Sequence, residues 1–247
     1  MDKLVYTSLS GLRGTMTRQQ ATAHNMANVN TPGFKADISA NSTVWVSGSG
    51  HNSRAMASGQ VLTFDDRAGP VSHTGRPLDI ALQGDALIAV QSENGDQAYT
   101  RRGDLMVSAN GMLVTNGGAP VFGDNGPIIV PPSKDIRIDE SGVVSTVPAN
   151  STDGVAVPVD RIKLVSPGGA RIEKGLDGLF RPFAGGTLPA DPLARVIPES
   201  LEGSNVNMSE ALTDMIESSR LWEMQLNVIT SARDMDSSAS NLMSLPQ

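Results

Sequence analysis

The residues that could do chemistry here are few. His24, His51 and His73 share no metal-ligand spacing. Asp65 and Asp66 form an adjacent acid pair, and adjacent acids in a loop are ordinarily solvated. Asp79 and Asp85 flank an apolar stretch, where short acids serve turns. Ser72 and His73 are neighbours, but a serine hydrolase needs a strained nucleophile turn such as G-x-S-x-G, and none occurs. There is no phosphate-cradling glycine loop and no dinucleotide fingerprint. The chain has no cysteine, which excludes disulfides, thiolate catalysis and cysteine-bound metals. No catalytic, cofactor or metal site is expected. The net charge of −7, without any basic run, argues against nucleic acid as a partner.

What the sequence does carry is a change of hydrophobic period along its length. Val5, Leu9, Leu12, Met16, Gln19, Ala23 and Met26 are spaced four, three, four, three, four, three, a heptad seam with one polar member. The seam predicts an N-terminal helix. Asn28 and Asn30 tolerate the left-handed backbone that ends helices. Thr31-Pro32-Gly33-Phe34 fits a type II turn, with proline presetting the second position and glycine supplying positive φ at the third. Residues 37–75 are rich in Ser, Gly and Asn, with scattered apolar residues such as Val44, Trp45 and Val46, and read as an extended connector with one short strand.

From residue 76 the period becomes two. Leu78, Ile80 and Leu82 alternate with polar or small residues, and Leu87, Ile88 and Val90 follow. Asn110-Gly111 between Leu105–Val107 and Met112–Val114 marks a hairpin. Ile136 and Ile138 before Glu140-Ser141-Gly142, with Val143, Val144 and Val147 beyond, mark another. Ile162 and Leu164 suggest one more strand. Residues 166–200 are expected to be loops with short strands.

Near residue 206 the helical period returns. Asn207-Met208-Ser209-Glu210 has the form of a capping box. Met208, Leu212, Met215, Trp222, Leu226 and Ile229 continue a seam in which Ser219 is polar. A neighbouring stripe runs through Val228, Ala232, Met235, Ala239 and Leu242. The expected fold class is therefore α+β. N- and C-terminal helices form an antiparallel coiled coil, joined by a central β-rich domain. The expected segments are 1–36 (helix and turn), 37–75 (connector), 76–200 (β domain) and 201–247 (helix).

Ordering a residue costs ~1–2 kcal/mol of backbone entropy. One large buried apolar side chain returns only ~1.5–3 kcal/mol. Two helices with one apolar stripe each are marginal by themselves, and the stripes point to packing against further copies. An ordinary helical hairpin capping its own β domain is the alternative on spacing alone. The first residues lack the apolar core and cleavage site of a secretory signal, and no apolar run reaches membrane-spanning length.

These features resemble a known family. Asn25, Ala27, Asn28, Thr31, Gly33, Phe34 and Lys35 are similar to the N-terminal signature of bacterial flagellar rod and hook proteins, N-x-A-N-x-x-T-x-G-F-K. EGSNVN at 202–207, with Ser204, Asn205 and Val206, resembles a second signature. Met215-Ile216 followed by Arg220-Leu221-Trp222-Glu223 resembles the family's M-I-x-x-x-R-x-aromatic-E pattern, through Arg220 and Glu223. RPLDIALQGDALIAV, YTRRGDLMVSANGMLVTNGG and GPIIVPP resemble its first β segments. WEMQ at 222–225 and DGLFRP at 177–182 are similar to the proximal-rod branch, with the distal-rod branch as the rival.

The resemblance implies a non-enzymatic subunit of the basal-body rod spanning the periplasm. It would leave the cytoplasm through the flagellar type III export apparatus without a cleaved signal. It would then polymerise with itself and other rod proteins, helices inside and β domain outside. A β-rich binding module or hydrolase with helical arms is the reading from another class, and it requires a ligand pocket.

Overall fold

The computed structural model describes residues 2–45, 55–148, 155–175 and 177–243. Its contacts divide the chain into two compact units. One comprises residues 1–29, 36–65 and 206–247, and the other residues 30–35 and 66–205.

The first unit is built on α1 (Asp2–Ala27) and α2 (Met208–Met243), which are in contact. They run antiparallel: Arg18 bonds Asp214 at 3.0 Å, while Thr15, earlier in α1, lies 3.3 Å from Gln225, later in α2. Asn207 caps α2, its Oδ1 accepting the Ser209 amide at 3.0 Å. The end of α1 differs from the expectation. Neither Asn28 nor Asn30 takes positive φ; among the described non-glycine residues only Glu199 does. Instead the last turn tightens, with the Asn28 amide bonding both the His24 and Asn25 carbonyls, and the Asn28 side chain donates to the His24 carbonyl at 2.9 Å. A short polar side chain can close a helix end without leaving ordinary φ.

Residues 37–64 also differ from the extended connector expected of them. Asp37–Trp45 and Ala55–Phe64 form a two-stranded antiparallel hairpin with a bulge at Ile38/Ser39, and both strands contact α1. An isolated two-stranded ribbon is marginal. This one is stabilised by the helix it lies on, a tertiary effect invisible in its Ser/Asn/Gly-rich strands. Val46 and His51 lie outside the described residues.

The second unit holds the hydrophobic core. Ile80, Ile88, Val90, Leu105, Leu113, Val121, Val144, Ile162 and Val196 cluster in it. A five-stranded antiparallel sheet runs in the order Leu164–Val165, Leu87–Gln91, Gln97–Thr100, Phe180–Pro182, Ile172–Lys174. A three-stranded sheet comprises Ser133–Ile138, Val143–Pro148 and Val157–Arg161. The hairpins expected at Asn110-Gly111 and Glu140-Ser141-Gly142 are both present. Leu87–Val90 are buried at every position, so that strand is covered on both faces and reads as a continuous apolar run. Gln97–Thr100 gave no such signal. It earns its place through Tyr99, fully buried, whose hydroxyl accepts the Leu188 amide at 2.5 Å.

Candidate functional site

The groups that could have done chemistry are dispersed. His24 pairs with Asp37 at 2.5 Å on the surface of the helical unit. His73 lies 3.9 Å from Glu199, both exposed. Asp79 serves a turn, accepting from Thr74 at 2.7 Å and from Arg76 Nε at 2.8 Å. Among the described residues no group of three His, Cys, Asp or Glu is gathered for a metal, and no helix is long and apolar enough to cross a membrane. The β unit has clefts of about 200 and 390 Å³ lined by Asp124 with Arg161 and Asp191, or with Lys163.

The β unit instead gathers signature residues from both ends of the chain into a buried clamp. Glu202 is at its centre. Its Oε1 accepts from Lys35 Nζ at 3.0 Å and from the Gly69 amide at 3.0 Å, and its Oε2 accepts from Arg101 Nε at 2.6 Å. The side chains of Lys35 and Glu202 are each 2% exposed and that of Arg101 5%. Burial by itself would raise the Glu202 carboxyl. The Gly69 amide, the Arg101 guanidinium and Lys35 outweigh it and hold the group below the ordinary carboxylate range. The two cations are satisfied beyond Glu202. Lys35 also donates to the Arg67 carbonyl at 2.8 Å, and Arg101 to the carbonyls of Gly84, Ala86 and Leu82.

Backbone contacts complete the clamp. Gly33 has φ +66°, and its Phe34 neighbour closes the turn onto the Thr31 carbonyl at 3.3 Å, as a type II turn requires. A side-chain carbon at Gly33 would lie 2.4 Å from the Arg101 carbonyl oxygen, so only glycine fits. The Gly33 amide donates to the Glu202 carbonyl at 2.8 Å, and the Gly203 amide to the Pro70 carbonyl at 2.8 Å. The Asn205 side chain donates to the Arg67 carbonyl at 2.9 Å. Phe34 is buried with the Lys174 ammonium 3.7 Å from its ring centre. Ser204 is buried beside them.

The remaining signature residues lie elsewhere. In the helical unit Asn25 exchanges two bonds with the Asp37 backbone, at 2.9 and 2.7 Å, Val206 is half-buried, and Ala27 is exposed. Arg220 and Glu223 are exposed on α2 and make no ion pair among the described residues. Sequence reasoning named Lys35 but not Arg101 or Glu202 as its partners. The available signal was an isolated Lys next to an aromatic, and charges embedded in otherwise apolar β segments.

The seam residues divide by exposure. Val5, Leu12, Met26, Met215, Trp222 and Ile229 are half-buried. Leu9, Met16, Ala23, Met208, Leu212, Leu226 and Met235 are exposed, most of the large ones by 40% or more. The side chain of Leu242 lies outside the described residues. The most buried residues of the helices are small or hydroxylated: Ser10, Thr15, Ala21 and Thr22 in α1, Ala211, Ser218 and Ala232 in α2. A carbon added at Gly11 would meet the Gln225 amide at 3.2 Å. Small side chains let two helix backbones approach closely, and about half of the large apolar seam residues are left facing outward.

The pattern described as flagella basal body rod protein matches residues 5–35. The pattern described as flagellar hook protein FlgE/F/G D1 domain matches 81–146, and that described as flagellar basal body rod FlgEFG protein C-terminal matches 197–242. The chain is 40% identical to the flagellar basal-body rod protein FlgF of Escherichia coli (strain K12) and 39% identical to that of Salmonella typhimurium (strain LT2). Each match covers 99% of this chain and 100% of the relative. The chain belongs to the flagellar basal-body rod protein FlgF family. FlgG of Bacillus subtilis (strain 168) is 28% identical over 98% of the chain, so the match to FlgF is the stronger of the two. The FlgF family is structural and non-enzymatic, and its members are rod components. Each of the three matched segments supplies one charged residue of the clamp: Lys35 in 5–35, Arg101 in 81–146 and Glu202 in 197–242.

Proposed function

We propose that this FlgF-family chain is a subunit of the proximal rod. It packs through the outward faces of its terminal helices onto copies of itself and onto neighbouring rod proteins. Val5, Leu9, Leu12, Met16, Ala23 and Met26 of the first helix form the axial contacts. Met208, Leu212, Met215, Trp222, Leu226, Ile229, Met235 and Leu242 form those of the second. Residues 1–36 and 201–247 form the inner layer of a helical drive shaft between motor and hook. Residues 76–200 form the outer layer, and 37–75 join the two. Arg220 and Glu223 make polar contacts to neighbours. The chain reaches the periplasm through the flagellar type III export apparatus without a cleaved signal.

The supporting observation is the exposed apolar stripe. Leu9, Met16, Met208, Leu212, Leu226 and Met235 stand outside a helix pair whose interior is small and polar. Exposed apolar surface on this scale is the mark of an interaction site. The test is the double substitution Leu212→Asp/Leu226→Asp. Monomer stability is expected to change by less than about 0.5 kcal/mol, as for surface sites, while rods fail to complete and cells do not swim. Swimming cells, or a monomer that unfolds, would refute the assignment.

A further inference from the structure

The chain contains four Asn-Gly pairs, at 94–95, 110–111, 116–117 and 125–126, all in described turns. In this dipeptide the glycine nitrogen can attack the asparagine side-chain carbonyl, provided that nitrogen is free to lose its proton. Three of the four glycine amides are committed. Gly95 donates to the Ser92 carbonyl and Gly111 to the Ser108 carbonyl, each at 2.9 Å. Gly126 stands opposite Gly123 in a closed two-residue hairpin ladder. Gly117 differs. The turn closes through Gly118, which donates to the Thr115 carbonyl at 2.8 Å, and the Gly117 amide makes no hydrogen bond among the described residues. Asn116 and Gly117 are both exposed.

A cation stands over this turn. Arg102 is anchored to Asp104 through Nε at 2.6 Å and Nη2 at 2.9 Å, which leaves Nη1 unused. A carbon built on Gly117 would lie 3.8 Å from that Nη1. The Asn116 amide is fixed to the Asp104 carbonyl at 3.0 Å, so one residue positions both the cation and the turn. A nearby positive charge favours the deprotonated form of a weak acid and stabilises negative charge developing on an attacked carbonyl.

We propose that Asn116-Gly117 is a self-modification site, at which Asn116 converts to aspartate or isoaspartate ahead of the other three asparagines, assisted by Arg102. Hydroxide removes the Gly117 amide proton. The nitrogen attacks Asn116 Cγ, the new C–N bond forms, and the C–NH₂ bond breaks with ammonia leaving after taking a proton from water. The succinimide then adds water at either ring carbonyl and opens. The net change is asparagine plus water to a carboxylate plus ammonium.

The test is ageing of the full-length protein in mildly alkaline buffer, with the four sites followed by peptide mass spectrometry. Asn116 is expected to convert about tenfold faster than Asn94, Asn110 or Asn125, the factor set by one hydrogen bond that need not break. Conversion of any of those three at an equal or higher rate would overturn the site. Arg102→Gln is expected to slow Asn116 about three- to tenfold and leave the others unchanged, and an unchanged Asn116 would overturn the role of Arg102. If the substitution loosens the fold, all four rates rise together, and the unmodified chain in high salt decides. Screening of Arg102 slows Asn116 relative to the other three, and a constant ratio removes Arg102 from the mechanism.

Discussion

Replacing Glu202 by Gln removes the carboxylate that pairs with two buried cations, Lys35 and Arg101. The amide is nearly isosteric, so packing is preserved and the change is electrostatic. Lys35 and Arg101 remain 2% and 5% exposed with nothing to neutralise them. Breaking a buried pair by removing one partner costs about 3–5 kcal/mol. For a unit of this size each kcal/mol shifts the melting midpoint by roughly 2–4 °C, so the β unit should melt about 6–20 °C lower. Both tryptophans, Trp45 and Trp222, lie in the helical unit, so fluorescence would report the wrong part of the molecule. Hydrogen exchange of the Ile88–Val90 amides, in the buried second strand of the five-stranded sheet, reports the right one. Lys35→Met is the companion variant. It keeps the Arg101–Glu202 pair, removes the surplus cation and should cost less than half as much. A Glu202→Gln protein within 1 kcal/mol of the parent, or one less affected than Lys35→Met, would refute the clamp as an electrostatic device.

Two further outcomes follow from the same residues and their strand. The depressed Glu202 carboxyl means that its contribution is fully present above its unfolded value near 4.5 and is lost as pH falls through the lower folded value. Acid titration of β-unit stability should therefore show a loss below about pH 4.5 that Glu202→Gln lacks, and identical acid profiles would count against the assignment. Among the described residues Glu199 carries the one positive non-glycine φ, +52°, where the chain passes from pairing with Ile80–Leu82 to pairing with Val71–His73. Glu199→Gly should relieve about 1–2 kcal/mol of left-handed strain against about 0.5–1 kcal/mol of added chain entropy. Urea denaturation should show a neutral to slightly more stable protein, whereas Glu199→Val should be clearly less stable.

The helices were legible in the sequence because their period runs unbroken for many turns, and the hairpins because Asn-Gly and Ser-Gly fix their turns. Three features were not legible, each for a tertiary reason. The hairpin of residues 37–64 has strands poor in large apolar residues, and α1 supplies the surface that stabilises it. Gln97–Thr100 looks polar because Tyr99 is its one large apolar side chain, buried together with Ala98 and Thr100. Glu202 ends the strand Ser200–Glu202, in a segment that the sequence assigned to the C-terminal helix, which begins only at Met208. Its meaning appears only when residues 167 positions apart, Lys35 and Glu202, are brought within 3.0 Å.

The helical seams show how a correct period can still leave the facing residues open. Leu212 and Leu226 belong to the strongest apolar spacing in α2, yet both are exposed, while Ser218 and Ala232, a fraction of a turn away, are buried. Hydrophobic periodicity identifies the face that gains most from leaving water, not the face that meets the nearest neighbour. In a chain whose helices serve only its own core the two coincide. Their separation here follows if the α1–α2 contact is set by close approach of small residues such as Gly11 and Ala211, leaving the larger surface for contacts made later. Filling that contact tests the idea directly. Gly11→Leu would drive a side chain into Gln225, already 3.2 Å from the first added carbon. Overpacking of this kind costs about 1–3 kcal/mol. It should loosen the helix pair in the isolated subunit while leaving exchange at Ile88–Val90 unchanged. Protection lost equally in both places would mean that the two units do not unfold separately, and the division of labour between inner and outer helix faces would have to be abandoned.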